Sequence, residues 1–314
     1  MSWAFVFPGQ GSQAVGMGKE VHDTFPEAKE VFQEVDEALK QSLSRLMFEG
    51  PDYDLTLTEN AQPALMAASM AIIRVLEKQG GVTIRSNGRF VAGHSLGEYS
   101  ALASADALTI EDTANLLRIR GKAMQSAVPM GQGAMAALLG MDLEAVQEVA
   151  SAAAQGDKVC NAANDNAPGQ VVVSGHATAV ERAVELAKEK GAKRAVMLSV
   201  SAPFHCALME PAASVMAEAL AHVAVNAPVV PIVANVTAGS VIDPHEIRRL
   251  LVEQVTSMVR WRESVNMMSK SGVDTQIEVG AGKVLTGMAK RINRDLKTIA
   301  LQSPSDIEEF LKTI

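Results

Sequence analysis

The stretch Phe90-Val91-Ala92-Gly93-His94-Ser95-Leu96-Gly97-Glu98-Tyr99 decides the fold of this 314-residue chain. An apolar run typical of a strand stops at Gly93, and an alanine-rich segment typical of a helix follows through Ala105. The five residues from Gly93 to Gly97 match the G-x-S-x-G pattern of a nucleophile elbow, in which a serine occupies a sharp turn between strand and helix. The stretch therefore predicts an α/β protein in which Ser95 is an exposed nucleophile at a helix N-terminus.

Strands and helices alternate on both sides of this elbow. The apolar run Trp3–Phe7 reads as a first strand, and it stops at a glycine-rich turn that begins with Pro8. Helical spacing of apolar residues marks 25–48, 64–78, 110–127, 213–223, 244–268 and 283–292, and strand-like runs mark 229–236 and 275–279. The alternation predicts a parallel α/β sheet to which both ends of the chain belong.

The middle third of the chain follows a different pattern. Its segments read as a strand (134–141), a helix (143–153), two strands (159–163 and 170–175) around a turn at 164–169, a helix (178–190) and a strand (195–199). The order βαββαβ is that of a ferredoxin-like domain. We therefore predict a small domain over residues 128–199, inserted into a large discontinuous domain formed by residues 1–127 and 200–314.

Composition narrows the class of protein. The hydrophobic fraction of 48% is that of a globular protein, and the net charge of -8 argues against a general nucleic-acid binder. Two cysteines, Cys160 and Cys206, make neither a disulfide framework nor a metal-ligand pattern. The start of the sequence lacks the features of a signal peptide, and no apolar run approaches the length of a membrane span. We expect a soluble protein of the cytoplasm.

A serine nucleophile needs a base, because a free hydroxyl is barely nucleophilic at neutral pH. Of six histidines, His205 is the best candidate, since it lies on a proline-held loop (201–206) where the chain returns from the insert to the large domain. His94 adjoins the serine and is expected to point elsewhere on the sharp turn. The other four histidines are expected at the surface or, for His176, in the insert.

Two further parts of a catalytic site have candidates. The N–H of Leu96 is one expected donor of an oxyanion hole, and the turn after the first strand supplies a second if that strand lies beside the elbow strand. Alternatively, the turn after the first strand is an ordinary glycine turn without a catalytic role. Arg118 and Arg120 follow on the next helix, where a solvated surface position is the usual one. An arginine turned inward could instead pair bidentately with a substrate carboxylate.

Five ordered motifs resemble the malonyl-CoA:acyl carrier protein transacylases of type II fatty-acid synthesis. The resemblance extends from the first strand to about Gly287, nearly the whole chain. The motifs are Phe7-Pro8-Gly9-Gln10-Gly11-Ser12-Gln13, Gly93-His94-Ser95-Leu96-Gly97-Glu98, Arg120-Gly121-Lys122-Ala123-Met124-Gln125, Asn166-Ala167-Pro168-Gly169-Gln170 and Pro203-Phe204-His205.

The resemblance implies a role for each matching residue. Ser95 would be acylated with His205 as its general base, and Arg120 would bind the malonyl carboxylate. The N–H groups of Gln10 and Leu96 would form the oxyanion hole. The remaining positions carry supporting roles: a loop carbonyl that orients His205 in place of a triad carboxylate (Gln254), a supporting loop near the pocket (Asn166), and crowding beside the acyl α-carbon that favours malonyl over methylmalonyl (Leu96 and Phe204).

The resemblance also implies a fold, substrates and partners. The large domain would be α/β-hydrolase-like with a ferredoxin-like insert, and a ping-pong reaction through malonyl-Ser95 would need no cofactor or metal. Malonyl-CoA and holo acyl carrier protein would be the substrates, and we expect a monomer. Because carrier proteins are acidic, a basic docking patch is expected at one of two groups: Lys188, Lys190, Lys193 and Arg194 on the insert, or Lys283, Lys290, Arg291 and Arg294 near the C-terminus.

Three rival functions share parts of this pattern. A serine hydrolase or thioesterase would use the same elbow with a triad acid, for which Asp165 is available, but it would not require Arg120. A malonyl loader of a polyketide system would use the same residues on another carrier. A non-catalytic carrier-binding module would be expected to have lost Ser95 or His205, and both are present.

Overall fold

The computed structural model of the chain describes residues 2–200 and 202–314. Its strands are β1 (Trp3–Phe7), β2 (Gly88–Gly93), β3 (Gly133–Leu139), β4 (Cys160–Ala167), β5 (Gln170–His176), β6 (Arg194–Met197), β7 (Ile232–Val233), β8 (Ser240–Val241), β9 (Thr275–Val279) and β10 (Lys297–Leu301). Its α-helices before the insert are α1 (Lys19–Thr24), α2 (Pro26–Leu39), α3 (Leu43–Glu49), α4 (Asp52–Thr56), α5 (Thr58–Gly80), α6 (Ile84–Asn87), α7 (Gly97–Ser104) and α8 (Ile110–Ser126). The later ones are α9 (Leu143–Ala153), α10 (Ala177–Glu189), α11 (Glu210–Ala221), α12 (Pro244–Gln254), α13 (Trp261–Lys270), α14 (Val284–Ile292) and α15 (Pro304–Leu311).

The larger sheet has the strand order β10-β9-β1-β2-β7-β8, and all its pairs are parallel except β7 with β8. β1 and β2 are neighbours, with Phe7 opposite Gly93, and the N–H of His94 donates to the Phe7 carbonyl at 3.0 Å. Since adjacent parallel strands end at the same edge, the turn that carries Gln10 lies beside the elbow. The predicted α/β class with a parallel sheet is confirmed.

The smaller sheet is antiparallel with the order β4-β5-β3-β6, the arrangement of a ferredoxin-like fold. Helices α9 and α10 cover one face of it, and an apolar cluster of its own lies between them and the strands. On the opposite face, Met135 and Val172 line the cleft between this sheet and the large domain. The sheet extends from Gly133 to Met197, inside the predicted range 128–199, and the domain boundaries themselves stay predictions.

The strand at the centre of the larger sheet is fully buried. All five residues of β1 are buried, as an interior parallel strand requires. Helix α5, rich in alanine and methionine, buries residues around most of its circumference against α2, α7 and α8. This packing fixes the sheet edge on which the site is built. Within the described residues, no helix is long and apolar enough to cross a membrane.

Several predicted elements were wrong in their limits. Residues 164–167 belong to strand β4 rather than to a turn, because they continue the antiparallel ladder with β5. On its other side β4 also pairs with Val259, whose carbonyl accepts from the Asp165 N–H and whose N–H donates to the Ala163 carbonyl. The same pairing breaks the predicted helix 244–268 into α12 and α13. Of the predicted strand 229–236, only residues 232–233 pair. Strand β10 and helix α15 were not predicted, and Ser201 of the 201–206 loop and Met1 lie outside the described residues.

Candidate active site

Ser95 sits at the tip of a sharp turn between β2 and α7. Its φ of 54° lies in the left-handed region that side chains rarely adopt. A Cβ on Gly93 would lie 1.9 Å from the Gly97 carbonyl carbon, and a Cβ on Gly97 would lie 2.3 Å from the Phe7 oxygen. Only glycine therefore fits on either side of the turn, and the predicted elbow is the one observed.

His205 contacts the serine directly. Its Nε2 lies 2.8 Å from Ser95 Oγ, and its Nδ1 lies 2.9 Å from the backbone oxygen of Gln254. Because a carbonyl only accepts, Nδ1 carries the proton and Nε2 is the acceptor that faces Ser95. Burial and, to a smaller extent, the positive charge of Arg120 lower the pKa of His205 to about 3. The imidazole is therefore neutral and available as a base.

The residue that orients His205 lies on a helix rather than on a loop. Gln254 is the last residue of α12, and its carbonyl is free to accept because the helix ends there. Asp165, the acid available to a hydrolase triad, instead pairs with Arg262, whose Nε lies 3.0 and 2.9 Å from its two carboxylate oxygens. The backbone carbonyl thus takes the place that a carboxylate has in a Ser-His-Asp triad.

Arg120 turns inward from α8 and is 1% exposed, whereas Arg118 is half-buried elsewhere on the helix. Nη2 of Arg120 lies 3.1 Å from Ser95 Oγ and 2.9 Å from Gln254 Oε1, and Nη1 of Arg120 lies 2.8 Å from Gln62 Oε1. No carboxylate pairs with Arg120 among the described residues. A buried guanidinium without its own anion, beside a nucleophile, is suited to a substrate that brings a carboxylate.

The site opens into a cleft between the two sheets with a cavity volume of about 240 Å³. The insert supplies one wall through β3, β4 and β5, and α14 supplies another. Asn166, predicted on a supporting loop, lies on β4, where its Oδ1 is 2.8 Å from Nε2 of His94. His94 thus points toward the insert and ties the elbow to the cleft wall. Phe204 lines the cleft, whereas the Leu96 side chain packs in the core.

Two residues predicted to donate backbone N–H groups, Gln10 and Leu96, lie near Ser95. Gln10 lines the cleft at the end of β1, and Leu96 precedes the first residue of α7. Within the described residues, neither backbone N–H gives a hydrogen bond to another protein group. Unpaired N–H groups beside a nucleophile can serve as an oxyanion hole.

Sequence reasoning missed two residues that hold the elbow. Asn235 clamps it from both sides, because its Oδ1 accepts from the Ser95 N–H at 2.7 Å and its Nδ2 donates to the Gly93 carbonyl at 2.7 Å. Glu98, buried in the first turn of α7, accepts from the Asn235 N–H at 3.0 Å. A charged residue in an otherwise apolar helix could have revealed Glu98, but Asn235 gave no signal in a segment read as a strand.

The chain matches known proteins over its whole length. Residues 4–303 match the family model described as acyl transferase domain. The malonyl CoA-acyl carrier protein transacylase of Bacillus subtilis is 49% identical over 311 residues, which cover 99% of this chain and 96% of that protein. The crystal structure of an acyl-carrier-protein-S-malonyltransferase from Bartonella henselae is 55% identical with a TM-score of 0.97, covering 100% of this chain and 99% of that one.

One solved relative includes a carrier protein. A malonyl-transacylase in complex with a type II PKS acyl-carrier protein is 41% identical with a TM-score of 0.96, and the match covers 100% of both chains.

Proposed function

This chain belongs to the malonyl CoA-acyl carrier protein transacylases of the acyl transferase family, and we propose that Ser95 carries the malonyl group between the two half-reactions. The enzyme transfers malonyl from CoA to acyl carrier protein. The observation that supports Ser95 as the carrier is its Oγ, held 2.8 Å from the base His205 and 3.1 Å from the cation Arg120. We further propose that the enzyme acts as a monomer without a cofactor and supplies fatty-acid synthesis.

In the first half-reaction, Ser95 Oγ attacks the thioester carbonyl carbon while Nε2 of His205 takes its proton. The N–H groups of Gln10 and Leu96 stabilise the oxyanion of the tetrahedral intermediate. The intermediate collapses by breaking the carbon–sulfur bond, and the CoA sulfur receives the proton from His205. Malonyl-Ser95 remains, and His205 is neutral again.

In the second half-reaction, the phosphopantetheine thiol of the carrier gives its proton to Nε2 of His205 and attacks the ester carbonyl. Collapse breaks the bond to Ser95 Oγ, which recovers its proton from the imidazolium. Gln254 holds the ring through Nδ1 in both halves, so the same nitrogen takes and returns the proton each time.

Arg120 couples recognition of the acyl group to activation of the base. A malonyl carboxylate bound to Arg120 offsets the positive charge that helps to depress the pKa of His205, so the imidazole becomes a stronger base once this substrate is in place. An acetyl group brings no such charge and leaves the buried guanidinium unpaired. Selection for malonyl therefore acts on both binding and chemistry.

The cavity of about 240 Å³ is smaller than most pockets that enclose a drug-sized ligand, so it holds the acyl group and the end of the pantetheine arm rather than all of CoA. The carrier protein would then dock at the mouth of the cleft. Helix α14 lines that mouth through Val284, Leu285 and Met288. It also brings one of the two predicted basic groups to the cleft.

The charges favour this C-terminal group, consisting of Lys283, Lys290, Arg291 and Arg294, as the docking surface. All four are exposed, and none has a carboxylate partner among the described residues. On the insert, by contrast, two of the four cations are paired, Lys188 with Glu185 and Lys190 with Glu148, and only Lys193 and Arg194 lack a carboxylate partner among the described residues. The C-terminal group, in which no cation has a carboxylate partner among the described residues, therefore presents the stronger positive electrostatic field to an acidic carrier.

Charge reversal tests this docking surface. Lys290→Glu with Arg291→Glu is expected to raise the KM for holo acyl carrier protein about tenfold or more and leave loading from malonyl-CoA unchanged. The matched control is Lys188→Glu with Lys190→Glu on the insert. Equal effects of the two double variants would place the carrier elsewhere.

The requirement for a carrier protein distinguishes a transferase from a hydrolase. With malonyl-CoA and holo carrier, malonyl-carrier should form at the rate at which CoA is released, and without the carrier, release should stop after one equivalent per enzyme. Continuous release of malonate without a carrier would instead show a thioesterase. A polyketide carrier is the second candidate acceptor, because the relative solved with such a carrier matches the full chain; loading rates on the two kinds of carrier distinguish them.

A further inference from the structure

Glu98 is a buried carboxyl that the mechanism does not use. It is 2% exposed in the first turn of α7, and it is not among the residues that line the cleft. It makes no ion pair with a lysine or arginine within the described part of the chain. Burying a carboxyl is costly unless hydrogen bonds satisfy it, so its partners indicate what it holds in place.

Its partners lead directly to the site. Glu98 Oε2 accepts from the Gln254 Nε2 amide at 2.8 Å and from the Asn235 N–H at 3.0 Å. Gln254 Nε2 also donates to the Ser95 carbonyl at 3.0 Å, and Gln254 Oε1 accepts from Arg120 Nη2 at 2.9 Å. One amide therefore lies between the buried carboxyl and the buried guanidinium.

The Gln254 amide has only one orientation that satisfies these neighbours. Its NH₂ group faces the Glu98 carboxyl and the Ser95 carbonyl, with Asn235 Oδ1 farther away at 3.5 Å, and its oxygen faces a guanidinium. A flip would set its NH₂ group against Arg120 and its oxygen against the Glu98 carboxylate and the Ser95 carbonyl. All three contacts would then be repulsive, so the carboxylate makes the largest contribution to fixing the amide.

We propose that Glu98 is a positioning residue for malonyl recognition: by fixing the Gln254 side-chain amide, it sets the Arg120 guanidinium beside Ser95 and leaves it free of a protein carboxylate. A carboxylate in direct contact with Arg120 would compete with the substrate. Held one amide away, Glu98 supplies a counter-charge to the buried guanidinium without occupying it. This inference rests on the proposed function, because it assigns the guanidinium to the malonyl carboxylate.

The test compares loading of Ser95 from malonyl-CoA and from acetyl-CoA in the full-length enzyme at about pH 8, where Glu98 is ionised because burial raises its pKa only to about 7. Glu98→Gln keeps the shape and removes the charge, and we expect its KM for malonyl-CoA to rise about tenfold while kcat/KM for acetyl-CoA changes less than about twofold. A purely structural role would lower both rates together. A lower KM for malonyl-CoA would show instead that Glu98 acts only as a charge opposing the substrate. Either result would overturn the proposal.

A second variant keeps the proposal testable if Glu98→Gln folds poorly. Gln254→Met removes the amide but keeps the backbone carbonyl on His205, and it should produce the same loss specific to malonyl. Adding Glu98→Gln to Gln254→Met should then cause little further loss, because both changes break one connection. Full additivity of the two effects would contradict that connection.

Asp36→Asn is the matched control. The Asp36 carboxylate accepts hydrogen bonds from the Ser44 N–H at 2.8 Å and the Ser44 hydroxyl at 2.5 Å, on helices remote from the cleft. Its loss should lower stability without changing the ratio of malonyl to acetyl loading. If wild-type enzyme forms no malonyl ester at Ser95, the proposed function fails first; if it does and the Glu98 variants keep the wild-type ratio, only this inference fails.

Discussion

Nδ1 of His205 lies 2.9 Å from the backbone oxygen of Gln254, where a Ser-His-Asp triad has a carboxylate. A neutral carbonyl orients the ring and fixes the tautomer but adds no negative charge to stabilise an imidazolium. Both half-reactions need His205 neutral at their start, and the buried, positively charged surroundings keep it so. These surroundings support the proposed role of His205, which exchanges protons with two thiols and one hydroxyl.

Replacing His205 with alanine should slow malonyl loading by about 10²–10⁴-fold, because Ser95 loses its base. Rapid-quench measurement of the acyl-enzyme gives this rate. His22→Ala serves as control, since His22 contacts Asp23 and does not line the cleft, so this variant should load at the wild-type rate. Comparable loading by the His205 variant would mean that another group takes the proton.

Arg120→Lys keeps the charge but loses the planar fork that spans Ser95, Gln254 and Gln62. We expect kcat/KM for malonyl-CoA to fall about 100-fold, corresponding to about 3 kcal/mol for a lost bidentate contact. Steady-state assays across malonyl-CoA concentrations check this. A variant with wild-type kcat/KM would show that the site needs only a positive charge.

Asn235→Ala removes both side-chain hydrogen bonds that clamp the elbow. The free energy of unfolding should fall by about 2–4 kcal/mol, because a buried N–H and a buried carbonyl are left unpaired. Urea denaturation measures the change, and malonyl loading should slow as the strained turn at Ser95 relaxes. Asn115→Ala, which removes one exposed side-chain contact to Glu111, should alter neither quantity appreciably.

Glu98 should make stability depend on pH in a defined direction. Burial raises the pKa of Glu98 from 4.5 to about 7. Between these two pH values the carboxyl is protonated in the folded state and ionised in the unfolded state. Stability from this group is thus present below about pH 4.5 and lost as pH rises through 7. Urea titrations at pH 5 and pH 8 measure the free energy of unfolding. That of the wild type should fall by about 2–3 kcal/mol more than that of Glu98→Gln over this range. An unchanged difference between the two proteins would contradict a raised pKa.

Features with local sequence signals were predictable. Gly93 is dictated by contact with the Gly97 backbone four residues away, and the βαββαβ order of the insert follows from short periodic segments. His205 stood out because it lies where the chain leaves the insert. These features need no knowledge of which distant segments meet.

What escaped prediction depends on contacts between distant segments. Asn235 reaches the elbow from 140 residues away, and the break after Gln254 arises because Val259 pairs with the insert strand β4. The turn-like composition of 164–167 was overridden by pairing with β5 and with Val259, whereas residues 168–169 form the predicted turn. Propensity carries no information about such partners, so tertiary structure decided these elements.

The most direct test of the central claim is the intact mass of the enzyme after brief incubation with malonyl-CoA, for wild type and Ser95→Ala, with acetyl-CoA as a parallel substrate. If Ser95 carries the malonyl group, one malonyl adduct should form on wild type alone and be discharged by holo acyl carrier protein, and acetyl-CoA should give little adduct. A malonyl adduct on Ser95→Ala, or equal loading of wild type by both thioesters, would contradict it.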